Sequence, residues 1–312
     1  MNNYKLLQPL AAILETQSIT KSAQKCNVTQ SAMSKTLGQI REAFHDDILI
    51  REGNHYVLTK RGQELREQLP LLLAQVDALY VPKVMDPKTC TRNFSFATSD
   101  FGAQAIFPEI CRSIEKEAPL VSVECRLWRT RQALDLAKDS LDLVSTLAVA
   151  IPENLCGKIM AQDRLAVVFR EGHPLSRGSM SLQDYIEARH VLIMGGGDKD
   201  SDVDRALARM GMRRNIFARV TFFQAAFEIL VRSNALITTP LHIAADFTKR
   251  YELQLRPLPL DVEPHHYYLL WHGKHHHDPE HQWFRELCFP ILKGQLEETI
   301  ASGMKLIHTH SD

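Results

Sequence analysis

Near its start the chain carries two short helical patterns that are separated by only a few residues. We predict that Thr20 caps the first helix, which runs to Cys26, and that Thr29 caps the second. Apolar spacing places four residues of the second helix on its buried side: Ala32, Met33, Leu37 and Ile40. So short a connection makes the two helices cross steeply, which is the geometry of a helix-turn-helix.

The outer face of the second helix carries short polar and basic side chains, which suit hydrogen bonds to base edges in the major groove. We predict DNA contacts from five of these residues: Thr29, Gln30, Ser31, Ser34 and Lys35. Thr29 and Lys35 could reach base edges or phosphates, whereas Lys21 and Arg51 are placed to hold phosphates rather than bases. A solvated helix face would show the same residue types, but the short turn and the segment that follows favour DNA contact.

The segment after this helix predicts a wing and then a dimerisation helix. Two short strands, Ile48–Arg51 and His55–Leu58, form a hairpin pattern. Thr59 then restarts a helix, and its apolar residues follow a heptad spacing: Leu65, Leu69, Leu72, Val76 and Leu79. We call this apolar row the heptad seam, and its regular spacing predicts a partner helix. Pro70 should kink the helix or end its first segment.

The charge distribution agrees with a DNA-binding head. The formal net charge of the whole chain is zero, yet residues 1–66 carry nine Lys and Arg against six Asp and Glu. The head therefore has a charge of +3 and the remaining residues −3. A basic head on a mildly acidic body suits contact with phosphates.

Length and composition exclude several other classes of protein. A chain of 312 residues, 45% of them apolar, is long enough for two or three domains with real cores. No apolar run approaches the roughly 20 residues of a membrane-spanning helix, and the first residues lack the pattern of a secretory signal. The six cysteines are scattered without a C-x-x-C pair, so no zinc ribbon or disulfide framework is indicated. We predict a cytoplasmic protein without a membrane contact.

From Asn93 onward, strand and helix patterns alternate, which predicts an α/β region with largely parallel sheets. Helical stretches include Gly102–Ala118 and Phe223–Arg232. The predicted strands are Phe94–Thr98, Val121–Leu127, Leu141–Thr146, Leu165–Phe169, Val191–Met194, Ala218–Phe222, Ala235–Thr239 and His266–Trp271.

In such sheets, ligands bind beyond the carboxyl ends of the strands, where helix N-termini present free N–H groups. We predict a site for a small-molecule effector from the residues that follow those strand ends: Thr98, Ser99, Asp100, Trp128, Arg129, Gly195, Gly196, Phe222, Phe223, Thr238 and Thr239. The alternative for individual members is structural, with Thr98 and Ser99 capping a helix and Phe222 buried in a core.

Seven of the fourteen histidines lie between His265 and His281, a tract that can bind metal or titrate near neutral pH. No carboxylate or cysteine ligands accompany it at metal spacing, so a solvated turn is the favoured interpretation. No G-x-S-x-G elbow supports a hydrolase, and nothing marks Cys111 or Cys125 as a low-pKa thiol. The sequence therefore predicts no catalytic residues, no metal site and no enzymatic activity.

The run Ile19–Lys35 resembles the helix-turn-helix of LysR-type transcriptional regulators. Asp47–Arg51 and the following Leu58-Thr59-x-x-Gly62 continue this resemblance in register. The NodD/LeuO-like branch is the most similar one, on Phe44–Leu49 and on the tail motifs Tyr268–His272 and His281-Gln282-Trp283. The resemblance covers nearly the whole chain, and the first eighty residues are its specific part.

The resemblance implies an N-terminal winged helix-turn-helix (1–59), a linker helix and hinge (60–88) and an effector-binding domain (89–312). That last domain would resemble type 2 periplasmic binding proteins, with subdomain I at about 89–160 plus 266–312 and subdomain II at about 161–265. The implied partners are double-stranded promoter DNA, a small-molecule effector and the chain itself, as a dimer and then a dimer of dimers. Contact with RNA polymerase stays open.

The resemblance implies no cofactor, and the sequence leaves open which small-molecule co-inducer acts on the chain and whether one is needed. The alternative function is a cytoplasmic solute-binding or enzymatic α/β protein whose helical head serves only for dimerisation. Target genes, the sign of regulation and an open or compact form of the tetramer cannot be predicted from these residues.

Overall fold

The structure is a computed structural model that describes residues 3–53, 55–81, 84–128, 136, 141–147, 151–194 and 202–309, with the backbone alone at 308 and 309. The chain divides into two compact units, residues 1–83 and 84–312. Across the described residues, no helix is both long and apolar enough to cross a membrane.

In its described residues, the first unit contains four α-helices and a two-stranded hairpin. Its elements are α1 (Leu7–Thr16), α2 (Ile19–Lys25), α3 (Gln30–Phe44), β1 (Leu49–Glu52), β2 (His55–Leu58) and α4 (Lys60–Ala78). Their apolar faces meet in one core, which holds Leu10 and Ile13 of α1 together with Met33, Leu37 and Ile40 of α3. The hairpin is antiparallel and forms the wing.

Two details of the helix-turn-helix differ from the sequence prediction. Ser18, not Thr20, caps α2, because Ser18 has the extended backbone that an N-cap needs and its hydroxyl accepts the Lys21 N–H. Thr20 instead lies exposed in the first turn. Ala32 is also exposed, since the buried stripe of α3 is carried by Met33, Leu37 and Ile40 alone.

The heptad seam of α4 is divided between two environments. Leu65 and Leu69 are buried in the core of the first unit, where they pack with residues of α1. Leu72, Val76 and Leu79 are 55%, 46% and 81% exposed within the single chain. The helix runs through Pro70, so the expectation that its first segment ends there is wrong, and a kink at Pro70 stays a prediction. Only the second half of the seam is therefore free to meet another helix.

The second unit contains both strands and helices along its length. Its elements are β3 (Asn93–Thr98), α5 (Asp100–Ala105), α6 (Phe107–Glu117), β4 (Ser122–Leu127), β5 (Leu143–Leu147), β6 (Leu155–Asp163), β7 (Leu165–Arg170), α7 (Leu182–Glu187), β8 (Arg189–Ile193), α8 (Asp202–Arg209), β9 (Asn215–Val220), α9 (Phe223–Leu230), β10 (Ala235–Pro240), α10 (Leu241–Thr248), β11 (Leu253–Pro257), β12 (His265–His272) and α11 (Pro279–Thr309).

These strands form two five-stranded sheets, in the orders β4-β3-β5-β12-β6 and β11-β7-β10-β8-β9. Three neighbouring strands of each sheet are parallel, but β12 runs antiparallel to β5 and β6, and β7 runs antiparallel to β10 and β11. The expectation of largely parallel sheets is therefore wrong in part. The sequence prediction also missed β6 and β11, because polar residues interrupt the apolar run of the first and the second is short and ends in proline.

The long C-terminal helix α11 packs against the cores of both sheets. Phe284, Cys288, Leu292 and Leu296 lie in the core of the first sheet, whereas Met304 packs on the core of the second. Gly303 permits this second contact, since a Cβ at that position would lie 2.5 Å from Leu241 Cγ. One continuous helix thus connects the two subdomains.

Candidate DNA-contact surface and effector cleft

The N-terminus of α3 presents an ordered polar surface. Thr29 caps the helix by accepting the Ala32 N–H at 3.2 Å, and its hydroxyl lies 3.0 Å from that of Ser31. Gln30, Ser34 and Lys35 are exposed, as are Thr29 and Ser31. All five residues predicted to contact DNA are thus accessible on the first half of one helix.

The two residues predicted to hold phosphates are also exposed. Lys21 lies in the first turn of α2, and its backbone N–H bonds the Ser18 cap. Arg51 lies on β1 of the wing, where its Nε donates to the Gly53 carbonyl at 3.1 Å. Gly53 has a φ of +59°, a left-handed conformation that glycine adopts without strain. The Arg51 guanidinium is therefore held beside the turn of the wing.

Two residues that the sequence analysis missed fix the wing to the helix-turn-helix. Arg41 near the end of α3 donates to the carbonyls of Asp47 and Leu49, at 2.9 and 2.8 Å. Asp46 accepts the Ile48 N–H at 2.7 Å and the Thr59 hydroxyl at 2.6 Å. An aspartate shortly before a strand is a sequence signal for such a turn, because its side chain can accept the backbone N–H two residues further on. Together they position the wing relative to α3.

In the second unit, Asp100 links the start of α5 to the start of α9. Its Oδ2 accepts the Phe223 N–H at 2.7 Å, and the carboxyl is buried. Burial raises the pKa of Asp100 above its ordinary value, against the opposing effect of hydrogen bonds from backbone amides. Within the described residues, Oδ1 is buried and has no hydrogen-bond partner. One oxygen therefore joins the two subdomains and the other is available to a ligand or a water.

Aromatic and imidazole rings lie beside this contact between the subdomains. The Phe101 ring meets Phe223 and His242 edge to face, with centroids 6.2 and 5.5 Å apart. Asp163 Oδ2 lies 2.7 Å from His242 Nδ1 and also accepts the His242 backbone N–H at 3.1 Å. Sequence reasoning missed Phe101, Asp163 and His242, and the last two are 79 residues apart without a shared motif.

Several of the predicted effector residues have structural contacts of their own. Thr98 is buried against Gly102, and Ser99 caps α5 by accepting the Gly102 N–H at 3.1 Å. Trp128 is buried in a core cluster of the first subdomain, where its indole Nε1 has no partner among the described residues. Ser99 thus follows the structural alternative, as a helix cap.

On the second subdomain, Phe222 is 46% exposed at the N-cap of α9, so it is not a core residue. The Thr238 hydroxyl lies 2.6 Å from the Tyr185 hydroxyl and is engaged there. Thr239 is buried, and its hydroxyl has no partner among the described residues. Arg129, Gly195 and Gly196 lie outside the described residues.

The histidine tract is not simply a solvated turn. His281 is fully buried, with Nε2 2.9 Å from the Asp142 carbonyl oxygen, and burial lowers its pKa to about 4. His265 Nε2 lies 2.9 Å from Asp202 Oδ2. In the part of the chain that the structure describes, no three His, Cys, Asp or Glu side chains form a group that could hold a metal ion.

We expect the Asp100–Phe223 contact to be measurable by comparing Asp100→Asn with Asp100→Ala. Asparagine keeps an acceptor for the Phe223 N–H, whereas alanine leaves that amide unpaired, so the asparagine variant should be more stable by about 1 kcal/mol. A carboxyl whose native pKa is raised favours the native state below its unfolded pKa and loses that contribution as pH rises through its native pKa. The stability of Asp100→Asn relative to wild type should therefore increase with pH above about 4.

Urea denaturation from pH 4 to 7 measures both differences. Equal stability of the asparagine and alanine variants at pH 7 would contradict the hydrogen bond, and a constant difference from wild type across pH would contradict the raised pKa.

Comparisons with known proteins bear on both units. Residues 4–63 match the model of the bacterial regulatory helix-turn-helix protein, lysR family, and residues 91–290 match that of the LysR substrate binding domain. The transcriptional regulator SyrM of Rhizobium etli is 26% identical, over 90% of this chain and 84% of its own. Nodulation protein D 2 of Bradyrhizobium diazoefficiens is 24% identical, over 91% and 87%. A full-length OxyR variant from Pseudomonas aeruginosa, 15% identical, shares the fold with a TM-score of 0.65 over 94% of this chain and 99% of its own.

Proposed function

The chain belongs to the LysR family of transcriptional regulators, within which nodulation protein D is among its relatives, and we propose that it reads promoter DNA with α3 and the wing. Its N-terminal domain binds DNA and its C-terminal domain senses a small-molecule effector, as in that family. The matched families and relatives are regulators rather than enzymes, so the alternative of an enzymatic α/β protein does not apply.

The exposed polar half of α3 is the observation that carries this proposal. Gln30, Ser31, Ser34 and Lys35 are uncovered next to a wing that Arg41 and Asp46 hold in place. A helix of this kind enters the major groove with its N-terminal residues at base edges, while the wing and α2 meet the backbone. Lys21, Lys35 and Arg51 supply phosphate contacts in this arrangement.

The effector site that we propose is the cleft between the starts of α5 and α9. Asp100 Oδ1 and the Thr239 hydroxyl are buried polar atoms without a partner among the described residues, and each favours a hydrogen bond from a ligand. A co-inducer bound there would change the Asp100–Phe223 contact and shift the two subdomains between arrangements. We propose no cofactor besides such a co-inducer.

The regulator oligomerises, as its family does, and we propose a dimer of dimers in the cytoplasm that contacts RNA polymerase at the promoter. The uncovered second half of the α4 seam supports the first pairing. Leu72, Val76 and Leu79 form an exposed apolar row that continues the heptad spacing of α4 beyond its buried first half. A partner α4 would remove this row from water.

Light scattering on the purified full chain tests this assembly. We expect a mass near four times the 35.5 kDa of one chain. A Leu72→Glu/Leu79→Glu variant should lose the pairing through α4 and fall to at most half of that mass, because burying two charges between the helices costs more free energy than the apolar contact provides. Glu67→Gln, at an exposed position of the same helix, is the control that should keep the wild-type mass. A monomeric wild type, or an unchanged mass in the double variant, would contradict pairing through α4.

A further inference from the structure

A second cavity lies beside the second sheet, at the ends of its strands that are remote from the proposed effector cleft. Its volume is about 370 Å³, and its walls include Arg170, Arg189, Phe217, Arg232 and Asn234. Arg232 follows the C-terminus of α9, whereas the cleft is at the N-terminus of that eight-residue helix. At 1.5 Å per residue, α9 separates the two places by roughly 12 Å.

The topology of the sheet explains why three arginines meet there. Arg170 is the last residue of β7 and Arg189 is the first of β8. β10 runs antiparallel to β7 and parallel to β8. The last residue of β7 and the first residues of β8 and β10 therefore lie side by side at the same end of these strands. The short segment that contains Arg232 and Asn234 leads into β10 at the same end.

A bulge in β9 supplies the aromatic wall. Ile216 pairs with His190 and Ala218 pairs with Val191, which leaves Phe217 as the extra residue between them. A bulge redirects the side chain of the extra residue. The Phe217 ring accordingly lies under the Arg189 guanidinium, 3.7 Å from ring centroid to Cζ, and is still 43% exposed. The cation–π contact holds the guanidinium by its face and leaves its N–H edge free.

The other two guanidiniums are fixed by different partners. Arg170 donates to Asn234 Oδ1 and to the Glu171 carbonyl, both at 2.8 Å. Arg232 pairs with the Glu228 carboxylate and donates to the Glu228 carbonyl at 2.7 Å. For Arg189, the structure records no hydrogen bond or ion pair with any described residue, which leaves its donors available. Three positive charges thus surround one cavity, and Glu228 offsets only one of them.

We propose that this cavity binds the phosphate group of a small molecule, at a site separate from the effector cleft. Guanidinium edges match the oxygens of a phosphate as paired donors, and a bound dianion would relieve the repulsion among three arginines. The exposed face of Phe217 can stack on a planar group attached to that phosphate. The regulator would then have a second, anionic input in addition to its effector.

Calorimetric titration of the full chain with inorganic phosphate and with adenosine monophosphate tests this site, at constant ionic strength set with chloride. We expect saturable binding with a Kd of roughly 1 mM or tighter. Arg189→Gln and Arg232→Gln should each weaken it about tenfold, since each removes a charged donor. Arg112→Gln, which removes an exposed arginine paired with Glu109 on α6, should leave both affinities unchanged.

The Phe217→Leu variant separates the two sources of phosphate. If Phe217→Leu weakens the binding of adenosine monophosphate but not of inorganic phosphate, the ligand is a phosphorylated planar molecule. If the two probes bind with equal affinity, the ligand is free phosphate. Either result supports the site. Melting temperatures without ligand confirm that each variant is folded. Absence of saturable binding, or affinities that stay unchanged in both folded arginine variants, would overturn the proposal, because any phosphate bound by the DNA-binding head does not depend on Arg189 or Arg232.

Discussion

Replacing Ser34 by alanine should lower the affinity for operator DNA by about 10- to 100-fold and leave the affinity for scrambled DNA nearly unchanged. The reason is that Ser34 is exposed on the first half of α3, where a lost base contact costs discrimination between sequences. Lys35→Ala should instead weaken both complexes alike and reduce the salt slope by about one, because a lost phosphate contact carries no sequence information. Fluorescence anisotropy on labelled duplexes measures all four affinities.

Gln39→Ala is the matched control for these variants. Gln39 is exposed on the second half of α3, beyond the end that enters the groove, so its replacement should change neither affinity. Equal losses in Ser34→Ala and Gln39→Ala would show that the helix responds to any substitution. Retention of wild-type specificity in Ser34→Ala would contradict a base contact by this residue.

Acidification should destabilise the second unit by several kcal/mol between pH 7 and pH 4.5. Burial lowers the pKa of both His190 and His281 to about 4, where each imidazole bonds a backbone carbonyl. An unfolded histidine binds its proton near pH 6.5, so the unfolded state takes up protons that the native state excludes. Each histidine should cost roughly 2 to 3 kcal/mol at pH 4.5. The stability is complete above pH 6.5 and is lost as pH falls toward 4.

Urea titrations followed by tryptophan fluorescence isolate this effect, since Trp128, Trp271 and Trp283 all lie in the second unit. His281→Gln should lower the stability at pH 7 and reduce the difference between the two pH values by the contribution of one histidine. His266→Gln, at an exposed position of β12, should leave that difference unchanged. An undiminished pH dependence in His281→Gln would show that its imidazole is not excluded from protonation.

Local chemistry made the first unit predictable from its sequence. Helix caps, apolar periodicity and a short turn act over a few residues, so α3, its Thr29 cap and its exposed polar face follow from the printed residues. The printed residues did not show that Ser18 rather than Thr20 caps α2, because both residue types are good N-caps and the backbone conformation before α2 decides between them. Periodicity also could not show which apolar surface covers Leu65 and Leu69. Packing against α1 of the same chain and packing against α4 of a second chain require the same spacing of apolar residues.

The cleft was predictable only in outline. The rule that ligands bind beyond strand ends led to Asp100 and Phe223, which the fold indeed brings together. It did not separate Ser99 and Thr238, which bond within their own subdomains, from residues that face the cleft. The Asp163–His242 pair and the arginines of the second cavity depend on sheet order and on a bulge. Sheet order and the bulge are properties of the assembled strands, so they cannot be predicted from a short stretch of sequence.

The most direct test of the account is an anisotropy titration of the wild-type full chain on DNA from upstream of its own gene, against scrambled DNA of equal length, at several salt concentrations. We expect a preference of about a thousandfold for the upstream DNA. The affinity should also fall with salt by about 0.9 logarithmic units for each phosphate contact and tenfold increase in salt. Absence of any salt-dependent binding to either DNA would contradict the claim that α3 and the wing bind a promoter.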